Sequence, residues 1–176
     1  VGFSDLVLGR KENHGLKNIL VALGSSTASK ELKEFIIPAL EKWNSKDRKI
    51  YCSSKLKPYL AEHFEGIEIF GYEKDSLVNM DCALIRAGLG TISDCVTSKV
   101  PMIFLNDKCP EINYNEKVLV KLGIGKSVHE CQEGEPFFEL NGEIYSSMID
   151  NMHELKLGGD MEAAAQIMDF YWRVNG

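Results

Sequence analysis

The stretch DCALIRAGLGTISDCVTSKVPMIFLNDKCPEINYNEKVLVKLGIGKSV, residues 81–128, decides the fold. Its apolar runs at residues 81–85 and 102–105 have the length and composition of strands. Between them lie a turn of small residues and, at residues 91–99, a helical pattern that Pro101 follows and ends. Two strands joined by so short a helix predict a parallel strand–helix–strand unit with a right-handed crossover.

The turn between the first strand and the helix is suited to bind an anion. Gly88 and Gly90 have no Cβ atoms, so the backbone can approach a ligand closely at these positions. The amides that open the helix lack internal partners and lie at the positive end of the helix dipole, where a phosphate or diphosphate binds well. Because Ser93 stands at the third glycine of the dinucleotide fingerprint G-x-G-x-x-G, a tight turn without a ligand is the competing interpretation.

A family pattern matches this stretch in order. The matching residues are Asp81, Arg86-Ala87-Gly88, Gly90-Thr91-Ile92-Ser93-Asp94, Val100-Pro101-Met102-Ile103, Asn115 and Gly123-Ile124-Gly125. With these matches the chain resembles the C-terminal, donor-binding domain of nucleotide-sugar glycosyltransferases with the GT-B architecture. It is most similar to family 28, which includes the N-acetylglucosaminyltransferase of peptidoglycan synthesis.

The resemblance implies roles for the turn and for the helix. In the family, the turn holds the diphosphate of the donor largely through its backbone, at the positions of Gly88, Leu89, Gly90 and Thr91. The family's helix acid binds the ribose hydroxyls, and Asp94, one methylene shorter than the usual Glu, stands at that position. A carboxylate suits a vicinal diol because it can accept both hydroxyl hydrogens.

The loop after the second strand carries the family's contacts to the donor sugar. Glu111 stands at the acid position of an acid–Gln pair that grips the sugar hydroxyls, and Asn115 matches the family's Asn. Ile112 replaces the Gln and cannot form a hydrogen bond with a sugar, so the identity of the donor stays open. Arg86 is expected either to assist the departing diphosphate or to form a structural ion pair.

Two further turns follow predicted strands. Gly24, Ser25 and Ser26 come after the first apolar strand and resemble the family's first glycine-rich loop, which meets the donor phosphate or the acceptor. An ordinary turn with a serine at the helix N-cap explains the same residues. Tyr72 and Glu73 follow the third strand, and the resemblance implies that their backbone reads the nucleotide base. Packing at a strand end is the alternative for Tyr72.

Composition limits the class of protein. The chain has 176 residues, and 44% of them are hydrophobic, which is enough for one domain with a sound core. Its net charge of −6 argues against a general binder of nucleic acid or of anionic membranes. Five cysteines without a C-x-x-C pair, together with the lack of a signal peptide or a long apolar run, favour a reduced, cytoplasmic setting.

Strands and helices alternate along the chain. Apolar runs predict six strands, at residues 18–23, 49–52, 67–70, 81–85, 102–105 and 126–128. With helices between them, they predict a doubly wound, Rossmann-like α/β domain with a six-stranded parallel sheet over residues 18–176, preceded by a linker or leader at residues 1–17. The turns at Gly24, Tyr72 and Gly88 all follow strand ends and are expected to converge on one cleft.

The sequence therefore predicts the donor-binding half of a UDP-sugar-dependent glycosyltransferase that transfers a hexosyl or N-acetylhexosaminyl group. The resemblance implies a mechanism without a metal, in which the helix N-terminus stabilises the departing diphosphate. The catalytic base is expected from a separate N-terminal, acceptor-binding domain, so this chain should bind the donor without transferring the sugar. The chain begins at Val rather than Met, which is typical of a fragment of a longer protein.

Three alternatives stay open. One is a separate catalytic subunit that docks on a membrane partner, as in lipid-linked oligosaccharide synthesis, and that meets the membrane only through this partner. Another is a nucleotide-sugar hydrolase of the kind used in pseudaminic-acid synthesis, which release of free UDP without an acceptor would identify. The third is a nucleotide-sugar sensor without enzymatic activity.

Overall fold

Six parallel strands form one sheet in the computed structural model, which describes residues 16–24, 32–43, 47–71, 76–105, 109–128 and 142–155. The strands are β1 Asn18–Ala22, β2 Lys49–Cys52, β3 Glu68–Ile69, β4 Cys82–Ile85, β5 Met102–Phe104 and β6 Gly125–Ser127. Their order in the sheet is β3-β2-β1-β4-β5-β6, and every neighbouring pair is parallel. The predicted six-stranded parallel sheet is confirmed, although several strands are shorter than the apolar runs.

Helices connect these strands. The α-helices of the described residues are α1 Ile37–Trp43, α2 Lys57–Leu60, α3 Leu89–Thr97, α4 Pro110–Lys121 and α5 Gly142–Glu154. A π-helical turn, Leu32–Ile36, precedes α1, and a 3₁₀-helix, Ser76–Asn79, precedes β4. Pro38 has no N–H to donate, and the helical segment divides beside it, as its position predicts. None of the described helices is long and apolar enough to cross a membrane.

Two helices that shape the candidate site begin earlier than the sequence predicts. α3 begins at Leu89, so this residue and Gly90 form its first turn. The sequence predicts the next helix over residues 115–122, whereas α4 begins at Pro110, because a proline is accommodated at the first positions of a helix, where no N–H donor is needed. Glu111 therefore lies on a helix rather than in a loop.

After β2 the sequence predicts a helix from Ser54 to about Glu65, and the structure has a much shorter helix there. The sequence predicts Ser54 as its cap, whereas α2 is a single turn without a side-chain cap. The backbone supplies the acceptor instead: the N–H groups of Leu56 and Lys57 donate to the Ser53 carbonyl, at 3.0 and 3.1 Å. The predicted cap is wrong because the backbone carbonyl of Ser53, not the side chain of Ser54, accepts from the N–H groups at the start of this turn.

Both faces of the sheet are buried. Along β1, Ile19 and Val21 pack in one hydrophobic cluster with α1 and α2. Leu20 and Ala22 pack in a second cluster with α3 and α4. All side chains of β4 are fully buried. Such burial is typical of a parallel sheet covered by helices on both faces, and it explains why these strands read as unbroken apolar runs.

Asp81 fixes the amino edge of the sheet. Its Oδ2 accepts hydrogen bonds from the backbone N–H of Lys17 at 2.9 Å and of Asn18 at 2.8 Å. Its own N–H donates to the Asn18 carbonyl at 2.8 Å, so the starts of β1 and β4 are tied together. Asp81 thus has a structural role, at the edge opposite to the turns at Gly24 and Gly88.

Candidate functional site

The candidate site lies where the order of the strands reverses. β1 and β4 are neighbours in the sheet although β2 and β3 separate them along the chain. The register pairs Ala22 with Ile85, so the two strands end level with each other, and Gly24 and Ala87 each follow at the carboxyl edge. Ligands of doubly wound sheets bind in the crevice at this point.

The turn between β4 and α3 leaves backbone amides without partners. Gly88 is the N-cap, with φ −81° and ψ 136°, and no side chain caps the helix. Its N–H donates to the Arg86 carbonyl at 2.7 Å. The N–H groups of Leu89, Gly90 and Thr91 have no acceptor in the described part of the chain. α3 has nine residues, so these amides carry the partial positive charge of a helix N-terminus.

Few of the described residues come close to the two glycines of this turn. Among the described residues, no atom would lie within 4 Å of a Cβ at Gly90, and a Cβ at Gly88 would meet only the Arg86 carbonyl oxygen, at 4.0 Å. Neither glycine has a positive φ. Packing and backbone conformation therefore do not require glycine at either position, and glycine is unfavourable within a helix. A ligand lying against the bare backbone would account for both residues.

α4 reaches back to the same turn through Asn115. Its Nδ2 donates to the carbonyl of Ala87 at 2.9 Å, and Ala87 is fully buried. The sequence predicts Asn115 as a donor contact, and the structure gives its amide nitrogen a partner within the protein. No local pattern could have revealed this bond, because the two residues lie 28 positions apart and only the fold brings them together.

The other predicted sugar contact lies at the start of α4. Glu111 is exposed in the first helical turn, close after the end of β5. Ile112 is half-buried and packs against the hydrophobic cluster under α3 and α4. The residue that replaces the family's glutamine is therefore part of the core packing.

Three further predicted residues lie around the turn. Asp94 is exposed on α3, about one helical turn beyond Gly90. Arg86 is half-buried and follows the end of β4 directly. Gly24 is exposed and has a φ of +63°, a left-handed conformation that favours glycine whether or not a ligand is present.

Four predicted contact residues, Ser25, Ser26, Tyr72 and Glu73, lie outside the described residues. β3, the strand before Tyr72, is at the edge of the sheet, three strand spacings or about 14 Å from β4. Of the three turns predicted to converge, those at Gly24 and Gly88 begin from adjacent strands. A contribution from Tyr72 stays a prediction.

The buried cysteines near the site do not supply a nucleophile. Burial raises the pKa of Cys95 on α3 to about 12, with a smaller contribution from the Asp94 charge. Burial likewise raises the pKa of Cys52 on β2 to about 11. Both thiols are therefore protonated at neutral pH. Within the described ranges, no group of three or more His, Cys, Asp or Glu side chains is arranged to hold a metal ion.

A separate cleft of about 450 Å³ lies between the end of α4, β6 and α5. Gly125, the first residue of β6, lines it, and Lys126 and Glu143 are its charged residues. None of the contact residues predicted from the sequence lines this cleft. Its position at the amino end of β6 separates it from the turns described above.

Comparison with known proteins identifies the fold. No protein-family model and no curated protein sequence matches the chain. Among solved structures, MurG of Acinetobacter baumannii matches with a TM-score of 0.59 at 16% identity, over 85% of this chain and 49% of that one. The fold is that of one half of a GT-B glycosyltransferase.

The same GT-B half matches enzymes that were solved with nucleotides. UGT2 of Phytolacca americana, complexed with UDP-2fluoro-glucose and pterostilbene, has a TM-score of 0.59 at 12% identity, over 95% of this chain and 44% of that one. SsfS6 of Streptomyces sp. SF2575, complexed with thymidine diphosphate, has a TM-score of 0.54 at 18% identity, over 82% of this chain and 39% of that one. The chain spans less than half of the length of these matched glycosyltransferases.

Proposed function

We propose that the chain is the donor-binding, C-terminal half of a UDP-sugar-dependent glycosyltransferase that transfers a hexosyl or N-acetylhexosaminyl group. The observation that carries this proposal is the α3 N-terminus. It offers three backbone amides without described partners, and no described residue crowds Gly90, at the strand-order switch of a GT-B half. Such an N-terminus binds a phosphate or diphosphate through its N–H groups and through the helix dipole.

In this proposal the diphosphate of the donor lies against Gly88, Leu89, Gly90 and Thr91. As the bond between the sugar and the diphosphate breaks, negative charge grows on the leaving phosphate. Amides that are already fixed by the helix stabilise this charge without reorganising. They do the work that a divalent cation does in other transferases, so the proposal includes no metal. Arg86 adds a positive charge at the same turn.

Side chains around the turn supply contacts to hydroxyl groups. Asp94 is exposed on α3 and is proposed to accept from the ribose hydroxyls. Glu111, exposed on the first turn of α4, is proposed to accept from hydroxyls of the donor sugar. Gly24, Ser25 and Ser26 follow the adjacent strand β1, from which they would meet the donor phosphate or the acceptor.

The nucleotide base is proposed to contact the backbone of Tyr72 and Glu73. Of the matched enzymes, UGT2 was solved with UDP-2fluoro-glucose and SsfS6 with thymidine diphosphate. The fold therefore does not select the base. We propose uridine because of the resemblance to family 28.

A second half completes the enzyme in this proposal. The matched glycosyltransferases are more than twice as long as the part that this chain covers. We propose that an acceptor-binding half, either an N-terminal domain or a separate subunit, supplies the catalytic base. The setting is cytoplasmic, any association with a membrane occurs through that second half, and nucleic acid is not a partner.

Calorimetric titration of the chain with UDP, UDP-N-acetylglucosamine and dTDP tests the proposal. UDP is expected to bind, and to bind more tightly than dTDP. Gly90→Phe is expected to abolish binding while the chain stays folded, because no described atom lies within 4 Å of the added Cβ and the ring would fill the space proposed for the diphosphate. The matched control is Gly142→Phe, at the exposed first residue of α5. Unchanged UDP affinity in Gly90→Phe would contradict the proposal.

A further inference from the structure

Two asparagines join a helix to a backbone carbonyl in the same way. Asn115 on α4 donates from Nδ2 to the Ala87 carbonyl at 2.9 Å, and Asn151 on α5 donates from Nδ2 to the Gly123 carbonyl at 3.0 Å. Both bonds are partly buried, and both join residues 28 positions apart. The two bonds differ in the position of the carbonyl that accepts: Ala87 precedes the N-cap of α3, whereas Gly123 follows the end of α4.

The peptide group between Ala87 and Gly88 is held on both sides. Its carbonyl oxygen accepts from Asn115, and its N–H donates to the Arg86 carbonyl at 2.7 Å. A peptide plane whose two polar groups are both bonded cannot rotate without breaking one of these bonds, and in buried surroundings such a loss is unfavourable. The next three amides along the chain are the unpartnered ones of α3, and their directions depend on this plane.

We propose that Asn115 is a positioning residue, which aims the α3 amides at the donor diphosphate through the Ala87 carbonyl. This inference rests on the proposed function. It is compatible with the direct donor contact that the family pattern implies for Asn115, because the bond to Ala87 uses only one Nδ2 hydrogen and leaves the second hydrogen and Oδ1 for a ligand. Donors that are fixed before binding hold an anion more tightly, because no free energy is needed to turn them during binding.

The affinity for UDP tests this role with a matched control. Asn115→Ala is expected to weaken UDP binding about tenfold, the usual scale of one well-placed hydrogen bond. Asn151→Ala removes the same kind of bond, so it is expected to lower the stability of the chain similarly while leaving the UDP affinity unchanged. Asn115→Asp, which turns an oxygen toward the carbonyl, should bind UDP as weakly as Asn115→Ala. Asn115→Gln keeps the amide and should recover part of the affinity.

Amide resonances measured without nucleotide test the geometry separately from the function. The ¹H–¹⁵N resonances of Leu89, Gly90 and Thr91 are expected to move in Asn115→Ala and to stay in place in Asn151→Ala. If these resonances move while the wild-type chain binds no UDP, the proposed function fails, and the control of the turn by Asn115 stands. If Asn115→Ala does not fold, Asn115→Gln is measured in its place.

Two results would overturn the positioning role. One is unmoved resonances of the α3 amides in a folded Asn115 variant. The other is an equal loss of UDP affinity in Asn115→Ala and Asn151→Ala, because a general loss of stability, rather than the direction of the α3 amides, would then explain the effect.

Discussion

Two turns of the form G-x-G each connect a helix and a strand, and they differ in whether the fold requires glycine there. Gly88-Leu89-Gly90 leads from β4 into α3, at the carboxyl edge of the sheet. Gly123-Ile124-Gly125 leads from α4 into β6, at the amino edge. An asparagine also donates to a carbonyl at each turn: Asn115 on α4 to Ala87, and Asn151 on α5 to Gly123. Both turns match the family pattern, and the sequence predicts a ligand only at the first.

The fold requires glycine in only one of these turns. A Cβ at Gly125 would lie 2.5 Å from the ring of Phe104 and 2.7 Å from the Met102 carbonyl oxygen, and Gly123 has a φ of +67°. Neither constraint applies to Gly88 and Gly90. A glycine that the protein itself does not need is the better indication of a ligand, so the comparison separates a packing motif from a binding motif.

Gly125→Ala is expected to have the largest effect. The added methyl group meets a buried ring and a backbone carbonyl, neither of which can move without disturbing β5, so the free energy of unfolding should fall by roughly 3 kcal/mol. Urea unfolding followed by circular dichroism measures this change. A loss below about 1 kcal/mol would mean that the β5–β6 contact relaxes easily and that the contrast between the two turns is weaker than the distances suggest.

Gly123→Ala is expected to cost about 1–2 kcal/mol, because an L-residue with a Cβ is strained in the left-handed conformation. The added Cβ would also lie 2.5 Å from Nδ2 of Asn151, which would have to give up its bond to the Gly123 carbonyl. Gly123→Asn is the control, since asparagine tolerates this conformation better. Equal stability of the two variants in urea would show that backbone strain is not the cause.

Gly90→Ala is expected to have the opposite sign. Alanine favours the helix, and its Cβ meets none of the described atoms within 4 Å, so the free energy of unfolding should rise, by roughly 1 kcal/mol at most. The affinity for UDP should fall at the same time, because the methyl group keeps the diphosphate from the amides. Urea unfolding and calorimetry on one preparation measure both quantities. A less stable variant with normal UDP affinity would reverse the comparison.

The smallest expected effect is a pH dependence that arises in α3. The folded pKa of Cys95 is raised from 9.0 to about 12, so its contribution to stability is present below about pH 9 and is lost as the pH rises from there toward 12. Between pH 8 and pH 9.5 the free energy of unfolding should fall by roughly 0.5–1 kcal/mol. Cys95→Ala should remove this part of the pH dependence. An unchanged pH slope in the variant would exclude Cys95 as its source.

The sheet could be predicted because its strands are buried on both faces. Continuous apolar runs such as residues 82–85 have no other simple interpretation once they alternate with helical patterns. Helix starts were harder to predict, because Gly90 and Pro110 are poor helix formers that the first turn nevertheless tolerates. The early start of α3 places Gly90 among the N-terminal amides of the helix.

Residues around the Gly88 turn could be selected from the sequence, but their contacts within the protein could not. A local pattern selected Gly88 and Gly90, and tertiary packing explains Gly125 in the other G-x-G turn. Likewise, a family pattern selected Asn115, but its bond to Ala87 depends on how α4 packs beside β4. Long-range contacts of this kind leave no periodicity in a single sequence.

The most direct test of the central claim is a titration of the isotopically labelled chain with UDP, followed through the backbone amide resonances. The account predicts that the amides of Leu89, Gly90 and Thr91 show the largest shifts. The amides of Gly123 and Gly125 should stay in place. Large shifts at Gly125, beside the cleft between α4, β6 and α5, with none in the first turn of α3, would contradict the claim that the unpartnered α3 amides hold the diphosphate.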